Sequence, residues 1–407
     1  MFCLPQALVP ARPRRSWRGA LVAGLATLLS ACSGSLPGLD SFSSSSPPPE
    51  AAPTAEAPQT SIGTGQIKVG LLLPLSAPGN AGLAGQSMRN AAELALSEFN
   101  NPNIQLLVKD DAGTAEGAQQ ATQEALNQGA EIILGPLFAH SVTQAAQVAR
   151  ARNIPVIAFS TDSNVAGRGV YLLSFLPETD VDRIVEYAIA QGRKSFVAMV
   201  PDNAYGSVVE AEFKQVVARK GGRVVALERY PVNGGDMGNA ARLIAQAAAQ
   251  ADALFLPDAG DGVVSAVRAV SAAGLDLKRL QVIGTGLWDD PRIFAEPALA
   301  GGWYPAPDSA GFRAFSTRYR ARYSQEPVRT ATLAYDAVAL VAALVKTQGP
   351  RRFAPETLAN PSGFAGIDGV FRFRNDGSNQ RGLAVLRVTP SGGQVISPAP
   401  HAFGSGT

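Results

Sequence analysis

From residue 66 onward, short apolar runs rich in β-branched residues alternate with longer amphipathic stretches rich in Ala, Gln, Glu and Arg. Strand and helix patterns at this spacing are typical of βαβ units, in which each helix covers one face of a parallel sheet. The predicted strands are residues 67–73, 104–109, 131–134, 155–159, 170–175, 196–200, 224–228, 253–256 and 281–284. The predicted helices between them are residues 82–99, 115–128, 141–152, 204–220 and 237–250. This part of the chain is therefore predicted to form an α/β fold.

There are more of these units than one sheet usually holds, so we expect two doubly wound parallel-sheet lobes. Two predicted helices then follow each other directly, at 312–323 and 330–347. Beyond them, the Asn-Asp-Gly turn at 375–377 lies between two strand patterns. Because such a turn favours antiparallel pairing, we expect strand 369–374 to pair with strand 383–388.

The N-terminus carries four arginines within its first eighteen residues, ahead of an apolar run at 20–29 that is too short to span a bilayer. This pattern predicts a secretory signal peptide at 1–31. The residues Leu29-Ser30-Ala31-Cys32 resemble the lipobox of bacterial lipoproteins, in which the cysteine is lipidated and becomes the new first residue. The alternative is a signal peptide that is cut at an ordinary site. In lipoproteins of this kind, Ser33 in place of an aspartate implies an outer-membrane anchor that faces the periplasm.

Residues 33–65 consist mainly of Ser, Pro, Ala and Thr, which cannot bury a core. Together with the lipidated Cys32, they are predicted to form a disordered tether at 32–65, which would reach about 110 Å when fully stretched. Loss of Cys3 with the signal peptide and lipidation of Cys32 would leave no free thiol. We therefore expect neither a disulfide nor a cysteine-bound metal.

Charge and histidine content exclude several classes of function. The formal net charge is +2, and removal of the first 31 residues leaves −2, because they hold four arginines and no acid. A nearly neutral chain lacks the basic surface of a nucleic-acid binder, so we expect no nucleic-acid partner. The histidines are His140 and His401, and no metalloprotease, nucleophile-elbow or phosphate-loop motif is present. We expect no catalytic residues, no metal and no cofactor, and the protein is predicted not to be an enzyme.

The loops after the predicted strands are the expected ligand site. In an open α/β sheet, ligands bind at the carboxyl ends of the strands, where helix N-termini direct free N–H groups outward. These loops are rich in small and hydroxyl residues and lie at 74–85, 135–141, 159–164, 201–206, 257–262 and 285–290. For any single residue in them, a turn or a helix cap is the alternative interpretation.

Short motifs are spread between residue 66 and about residue 390: 67–76, Asp110-Asp111, 132–136, 154–157 and Tyr205-Gly206. Together they resemble the type I periplasmic-binding family, which includes the leucine/isoleucine/valine-binding proteins. The resemblance implies two lobes that close on a ligand and are joined by three crossovers, near 176–179, 302–307 and 363–367. It also implies a first lobe of 66–177 plus 305–362, a second lobe of 178–304 plus 363–397, and a tail at 398–407.

The ligand loops of that family carry over to this chain only in part. In the family, a Ser/Thr-rich loop after the third strand binds the α-carboxylate of the ligand. Here that loop contains Ala139, His140 and Ser141, with the alanine where a serine is usual. The next polar loop consists of Ser160, Thr161, Asp162, Ser163 and Asn164. Its aspartate would repel a carboxylate.

The same holds for the groups that would bind the rest of an amino acid. Tyr205 matches the cleft tyrosine of the family. The acid that would pair with the ligand ammonium is expected within 284–287, and none is present there. The nearest acids are Asp289 and Asp290, one turn later, with Asp258 at the preceding strand end. Because each unpaired buried charge is costly, the cleft is predicted to suit a zwitterionic amino acid poorly.

The lipobox, the tether and the motifs at 69–76 and 135–138 also resemble a second branch of the same fold, the lipoprotein activators of penicillin-binding proteins. This resemblance implies a non-catalytic periplasmic lipoprotein that binds a penicillin-binding protein and acts in cell-wall synthesis. It would attach to the outer membrane through its lipid and could hold a small molecule in its cleft. The alternative is the solute receptor of an ABC importer for amino acids or related small polar molecules, with an ABC permease as its partner.

Overall fold

The computed structural model describes residues 61–100, 102–232 and 235–404. The predicted signal peptide, Cys32 and the predicted tether up to residue 60 lie outside these residues. None of the described helices is long and apolar enough to cross a membrane.

The first lobe begins with a βα series. Its elements are β1 (Ser61–Ile62), β2 (Ile67–Leu73), α1 (Asn80–Glu98), β3 (Ile104–Asp110), α2 (Ala115–Asn127), β4 (Ile132–Leu134), α3 (Ala139–Arg150), β5 (Val156–Ala158) and β6 (Val170–Leu172). The strands form a six-stranded sheet in the order β1-β3-β2-β4-β5-β6. Strands β2 to β6 are parallel, and β1 runs antiparallel beside β3.

The second lobe follows with the same alternation. Its elements are α4 (Pro177–Ala190), β7 (Ser195–Pro201), α5 (Ala204–Arg219), β8 (Arg223–Tyr230), α6 (Gly238–Ala247), β9 (Ala253–Phe255), α7 (Gly260–Ala272), β10 (Gln281–Ile283), α8 (Pro291–Phe294) and β11 (Trp303–Ala306). The returning segment forms α9 (Ser309–Tyr323), α10 (Ala331–Thr347), α11 (Pro355–Leu358), β12 (Phe364–Gly366), β13 (Gly369–Phe373), β14 (Asn379–Arg381), β15 (Ala384–Thr389) and β16 (Gly392–Ser397).

The strands of the second lobe form a seven-stranded sheet in the order β16-β15-β11-β10-β9-β7-β8. Strands β7 to β11 are parallel, whereas β15 and β16 are antiparallel additions. Strands β12 to β14 form a separate antiparallel sheet. The predicted α/β fold with two doubly wound parallel-sheet lobes is confirmed.

Helices cover both faces of each parallel sheet, and the sequence of β2 shows why. Leu71 and Leu73 lie in a core with residues of α1 and α10, whereas Leu72 lies in a core with residues of α2 and α3. In β7, Val197 and Phe196 likewise belong to opposite cores. Successive strand residues point to opposite faces, so a continuous apolar run suits a strand that is buried on both sides.

The chain passes between the lobes at three places, which we call the crossings: 173–176, 307–308 and 382–383. The first two lie near the crossovers that the family resemblance implies. The third lies later than the expected position at 363–367. Phe364, Phe371 and Phe373 pack in or against the core of the first lobe. For this reason the structure places residues 364–381 with the first lobe, although 363–397 was expected in the second.

The predicted pairing of strand 369–374 with strand 383–388 is wrong. β13 pairs with β14 instead, with Phe373 opposite Asn379. β15 pairs with β11 and β16. A tight turn joins the residues that directly flank it, so the Asn-Asp-Gly turn selects the short strand that follows it.

Both ends of the described chain have partners in the fold. Ser61 and Ile62, at the end of the predicted tether, pair with Leu107 and Leu106 of β3. In the predicted tail, the ring of Phe403 lies 4.6 Å from the guanidinium carbon of Arg372. The apolar side chains of Ile62 and Phe403 give these ends surface to pack.

Candidate ligand-binding cleft

A cavity of about 470 Å³ lies between the two lobes, where the three crossings meet. Its wall includes Phe175 and Leu176 from the first crossing, Pro307 from the second and Leu383 from the third. Small-molecule sites in proteins commonly have volumes of roughly 300–1,000 Å³. The cavity is therefore large enough for one small solute.

Much of the cavity wall is apolar. Phe175, Leu287, Phe312 and Leu383 line it together with backbone and proline atoms of the crossings. Such a wall supports affinity through burial of apolar surface, and the few polar groups in it determine which solute fits and in which orientation. The polar groups of this cavity are therefore the part that decides its chemistry.

Two arginine side chains lie against the ring of Phe175. The guanidinium carbons of Arg329 and Arg381 are each 4.6 Å from the centre of that ring. The guanidinium carbon of Arg329 is also 4.6 Å from the centre of the Phe312 ring. Cation–π contacts of this kind are worth about 0.5 to 2 kcal/mol each. They hold side chains of the first crossing and of β14 against each other beside the cavity.

The two arginines differ in their hydrogen bonds. Arg329 donates from Nη1 to Oδ2 of Asp368 at 2.9 Å and from Nη2 to Oδ1 at 2.6 Å. Arg381 is 4% exposed and donates from Nε to the carbonyl oxygen of Ser174 at 2.9 Å. Its Nη1 and Nη2 are buried and have no acceptor among the residues that the structure describes. Arg381 is therefore a buried cation with unused donors.

Two carboxylates lie near Arg381. Asp368 is already paired with Arg329. Asp336 accepts a hydrogen bond from the Ile367 backbone N–H at 2.8 Å, and its Oδ2 is buried without a donor in the described part of the chain. Burial raises the pKa of Asp336 to about 7, against the effect of the Arg381 charge. Burial lowers the pKa of Arg381, and the two carboxylates oppose that shift.

The second lobe contributes acids and hydroxyls to the cavity wall. Asp180, in the first turn of α4, accepts a hydrogen bond from the Gly286 backbone N–H at 2.9 Å. Burial raises the pKa of Asp180 to about 7; the charge of Glu178 adds to the shift, and the Gly286 N–H opposes it. The hydroxyl oxygens of Tyr205 and Thr285 are 2.8 Å apart. The cavity thus has a cation on one side and a carboxylate from the second lobe.

A family model described as periplasmic binding protein matches residues 66–394. The chain belongs to the periplasmic binding protein family. This is a family of solute-binding proteins, and it implies a periplasmic location. A curated relative, the Leu/Ile/Val-binding protein homolog 6 of Brucella melitensis biotype 1, is 24% identical over 231 residues, which are 54% of this chain and 58% of the relative. The chain therefore spans little more than half the length of that relative.

Solved structures show the same fold at low sequence identity. A protein of Rhodospirillum rubrum, described as a branched-chain amino acid ABC transporter, matches with a TM-score of 0.72 and 21% identity over 81% of this chain and 99% of its own. An ABC transporter substrate-binding protein of Desulfitobacterium hafniense in complex with Leu has a TM-score of 0.60 at 18% identity, covering 81% and 99%. A solute-binding protein of Rhodopseudomonas palustris BisB5 in complex with 3,4-dihydroxybenzoic acid has a TM-score of 0.58 at 21% identity, covering 84% and 98%.

Three residues that the sequence analysis selected line the cavity of this periplasmic binding protein. They are Thr161, Tyr205 and Asp289. Thr161 comes from the loop after β5, Tyr205 from the first turn of α5, and Asp289 from the segment after β10. Asp289 accepts a hydrogen bond from the Tyr304 hydroxyl at 3.2 Å. A role of these three residues in ligand binding stays a prediction.

The candidates in the loop after β4 do not line this cavity. Ala139, His140 and Ser141 form the start of α3. Nε2 of His140 is 2.9 Å from the carbonyl oxygen of Gly113, and the Ser141 hydroxyl donates to the carbonyl oxygen of Thr114 at 3.1 Å. These polar groups join the loop after β4 to the loop after β3.

The remaining candidates make local hydrogen bonds and also lie outside the cavity wall. Asp162 donates from its backbone N–H to the hydroxyl of Ser160 and accepts from the backbone N–H of Asn164. Ser163 begins a short 3₁₀ helix in the same loop. Asp258 accepts from the Tyr230 hydroxyl at 2.6 Å and lines a separate groove on the second lobe.

Asp180, Arg329 and Arg381 are the charged cavity residues that the sequence analysis missed. Asp180 directly follows the first crossing, whose position the family resemblance implied, so a search of that segment for charges would have found it. Arg381 precedes the third crossing, which was expected at 363–367. Among the described residues, no group of three or more His, Cys, Asp or Glu side chains could hold a metal ion.

Proposed function

We propose that this chain is the receptor of an ABC importer and binds one small solute in the cavity between its lobes. The observation that carries the proposal is the cavity, because all three crossings contribute to its wall. A solute that contacts both lobes would favour the closed arrangement through its differential affinity for that state. Membership in the periplasmic binding protein family supports this function.

The proposed partner is an ABC permease, and no catalytic step is part of the proposal. The chain is similar to proteins that are described as substrate-binding proteins of ABC transporters. Two of these similar proteins hold leucine and 3,4-dihydroxybenzoic acid. Amino acids and aromatic acids are therefore the first solutes to test.

Thermal unfolding of the purified protein with a panel of amino acids, aromatic acids, sugars and neutral polar solutes tests the proposal. A solute at 100 times its Kd stabilises the folded state by about 2.7 kcal/mol. We expect at least one class of solute to raise the melting temperature. Native mass spectrometry would detect a solute that co-purifies. A protein that carries no solute and responds to none of the panel would contradict the proposal.

A pair of tryptophan variants on α9 tests the position of the site. Ser309 lines the cavity at the start of the helix, so Ser309→Trp places an indole in the space for the solute. Thr317 is exposed on the same helix and does not line the cavity, so Thr317→Trp is the matched control. We expect the first variant to lose the solute-dependent rise in melting temperature and the second to keep it. Equal responses would place the solute elsewhere.

A second candidate function is activation of a penicillin-binding protein. The sequence motifs at 69–76 and 135–138 and the predicted lipobox favour it. Capture of periplasmic partners with the purified protein tests this candidate, with an importer receptor of the same family as the control bait. Enrichment of a penicillin-binding protein relative to that control would support it. Absence of any such protein from the captured set would remove it.

The membrane anchor is a separate proposal that rests on Cys32. We expect the wild-type chain to label with radioactive palmitate and to fractionate with the outer membrane. The Cys32→Ala variant should lose the label. Labelling of both proteins, or of neither, would contradict lipidation at this cysteine.

A further inference from the structure

The guanidinium of Arg381 belongs to the cavity wall and has donors without an acceptor among the described residues. The residue is 4% exposed, lines the cavity and uses one of its nitrogens, Nε, on the Ser174 carbonyl. Nη1 and Nη2 are buried without an acceptor among the described residues. Buried guanidinium donors without an acceptor are costly, so an acceptor from outside the protein would offset that cost.

We propose that Arg381 binds the carboxylate of the solute and makes this receptor specific for carboxylic acids. The inference rests on the proposed function, because it assigns a role within the same cavity. It moves the anion site from the strand-end loops, where the family resemblance places it, to the end of β14 beside the third crossing.

The other arginines near the cavity donate to acceptors within the protein. Both terminal nitrogens of Arg329 bond Asp368. Arg183 bonds the Leu383 carbonyl at 2.9 Å and the Ser397 hydroxyl at 2.7 Å. Arg381 is the cation in the described cavity wall that keeps two donors free.

A carboxylate fits these donors better than other acceptors. The two terminal nitrogens of a guanidinium form a planar fork that matches the two oxygens of a carboxylate, and charge-assisted bonds of this kind are about twice as strong as neutral ones. The cavity also contains Asp180 and Asp289 from the second lobe. A second carboxylate on the solute would meet these acids, so the geometry favours acids with a single carboxylate.

The competing role for Arg381 is to balance the charge of Asp336. Asp336 lies close enough for the charge of Arg381 to act on its ionisation, and its Oδ2 has no donor in the described part of the chain. In that role, Arg381 would stabilise the folded protein without distinguishing an acid from its amide. Binding of an acid and of its amide separates the two roles.

Matched pairs of acids and amides are the direct test on the wild-type full chain. The probes are leucine with leucinamide and benzoate with benzamide. Each is added up to about 10 mM, and binding is measured by isothermal titration calorimetry and by the shift in melting temperature. Hydrogen bonds to charged groups are worth enough to change affinity about 10- to 100-fold. We expect the acid of at least one pair to bind tighter than its amide by that factor.

Two substitutions at Arg381 and one elsewhere complete the test. Arg381→Gln removes the charge, Arg381→Lys keeps it without the fork, and Arg352→Gln removes an arginine that pairs with Glu131 outside the cavity wall. We expect the preference for the acid to disappear in Arg381→Gln, to weaken in Arg381→Lys and to persist in Arg352→Gln. If Arg381→Gln does not fold, the acid and amide pairs on the wild type and the lysine variant decide the matter.

The outcomes distinguish the inference from the proposed function. Equal binding of acids and amides, or an acid preference that survives in Arg381→Gln, overturns the role of Arg381 and leaves the receptor function standing. Stabilisation by neutral solutes alone would likewise overturn the role of Arg381 and leave the receptor function standing. A chain that binds no solute of any class overturns both.

Discussion

Polar side chains in two regions of the molecule are used in different ways. Several polar groups in the strand-end loops of the first lobe, 137–142 and 160–164, have hydrogen-bond partners in their own loop or in the neighbouring one. At the crossings, Arg381 keeps two nitrogens without a described acceptor, and Asp180 engages one oxygen on the Gly286 N–H. A polar loop therefore need not be a binding loop, because its groups can already be satisfied.

The largest expected difference between the two regions concerns their aromatic side chains. Phe175 contacts two guanidinium groups at the crossings, and Phe138 stacks on His140 in a strand-end loop at a ring distance of 5.8 Å. Both phenylalanines are half-buried. We expect Phe175→Ala to lower the free energy of unfolding by about 3 kcal/mol and Phe138→Ala by about 1 kcal/mol. Urea unfolding of both variants measures this, and equal losses would contradict a special role for the crossings.

The next effect is a pH dependence from Asp180. Because burial raises its pKa from 3.8 to about 7, the folded protein keeps a proton that the unfolded chain releases. Retention of this proton stabilises the folded state fully below about pH 4, and this contribution is lost as the pH rises to about 7. We expect Asp180→Asn to be about 2 kcal/mol more stable than the wild type at pH 8 and nearly equal to it at pH 4.

Asp111 is the matched carboxylate beside the strand-end loops. It is fully buried, and burial raises its pKa to about 6, so its stabilising proton is lost at a lower pH. We expect Asp111→Asn to gain about 1 kcal/mol at pH 8 and to leave solute binding unchanged, whereas Asp180→Asn should alter solute binding. Unfolding curves from pH 4 to pH 8 and solute titrations measure both. A change in solute binding from Asp111→Asn would break the comparison.

The smallest expected effect separates two hydroxyl groups. The Tyr205 hydroxyl contacts Thr285 at 2.8 Å beside the cavity, and the Ser141 hydroxyl contacts the Thr114 carbonyl at 3.1 Å in a strand-end loop. We expect Tyr205→Phe and Ser141→Ala each to cost about 1 kcal/mol of stability. Solute affinity should fall about threefold in Tyr205→Phe alone, since a neutral hydrogen bond contributes that much. Equal changes in affinity would show that the two regions share the site.

The regular elements of the two lobes were accessible from the sequence. The apolar run 67–73 coincides with β2, and the pattern at 115–128 contains α2. These patterns are local. A strand that is buried on both faces needs apolar residues in succession, and a helix that is buried on one face needs apolar residues three to four positions apart. The predicted pairing of 369–374 failed because the three-residue strand 379–381, which directly follows the turn and pairs with it, is too short to show a pattern in the sequence.

The candidate site was less accessible. Loop chemistry and the family resemblance placed Thr161, Tyr205 and Asp289 near the strand ends, and these three line the cavity. They did not identify Arg381. Phe371 and Phe373 pack in the core of the first lobe, so the third crossing lies later in the chain than expected, and Arg381 directly precedes it. The prediction that the cleft suits a zwitterion poorly was made without Arg381 and Asp180, which line the cavity from segments outside the family pattern. It stays a prediction.

The sequence by itself determined the α/β alternation and the division into two lobes, because hydrophobic periodicity is a property of neighbouring residues. Only the tertiary structure decided which polar groups have partners. The bond from Arg183 to the Leu383 carbonyl joins residues 200 positions apart, and the Nε bond of Arg381 reaches across 207 positions to Ser174. Whether a buried donor is satisfied depends on such distant acceptors, and the donors that remain free are what a solute can bind.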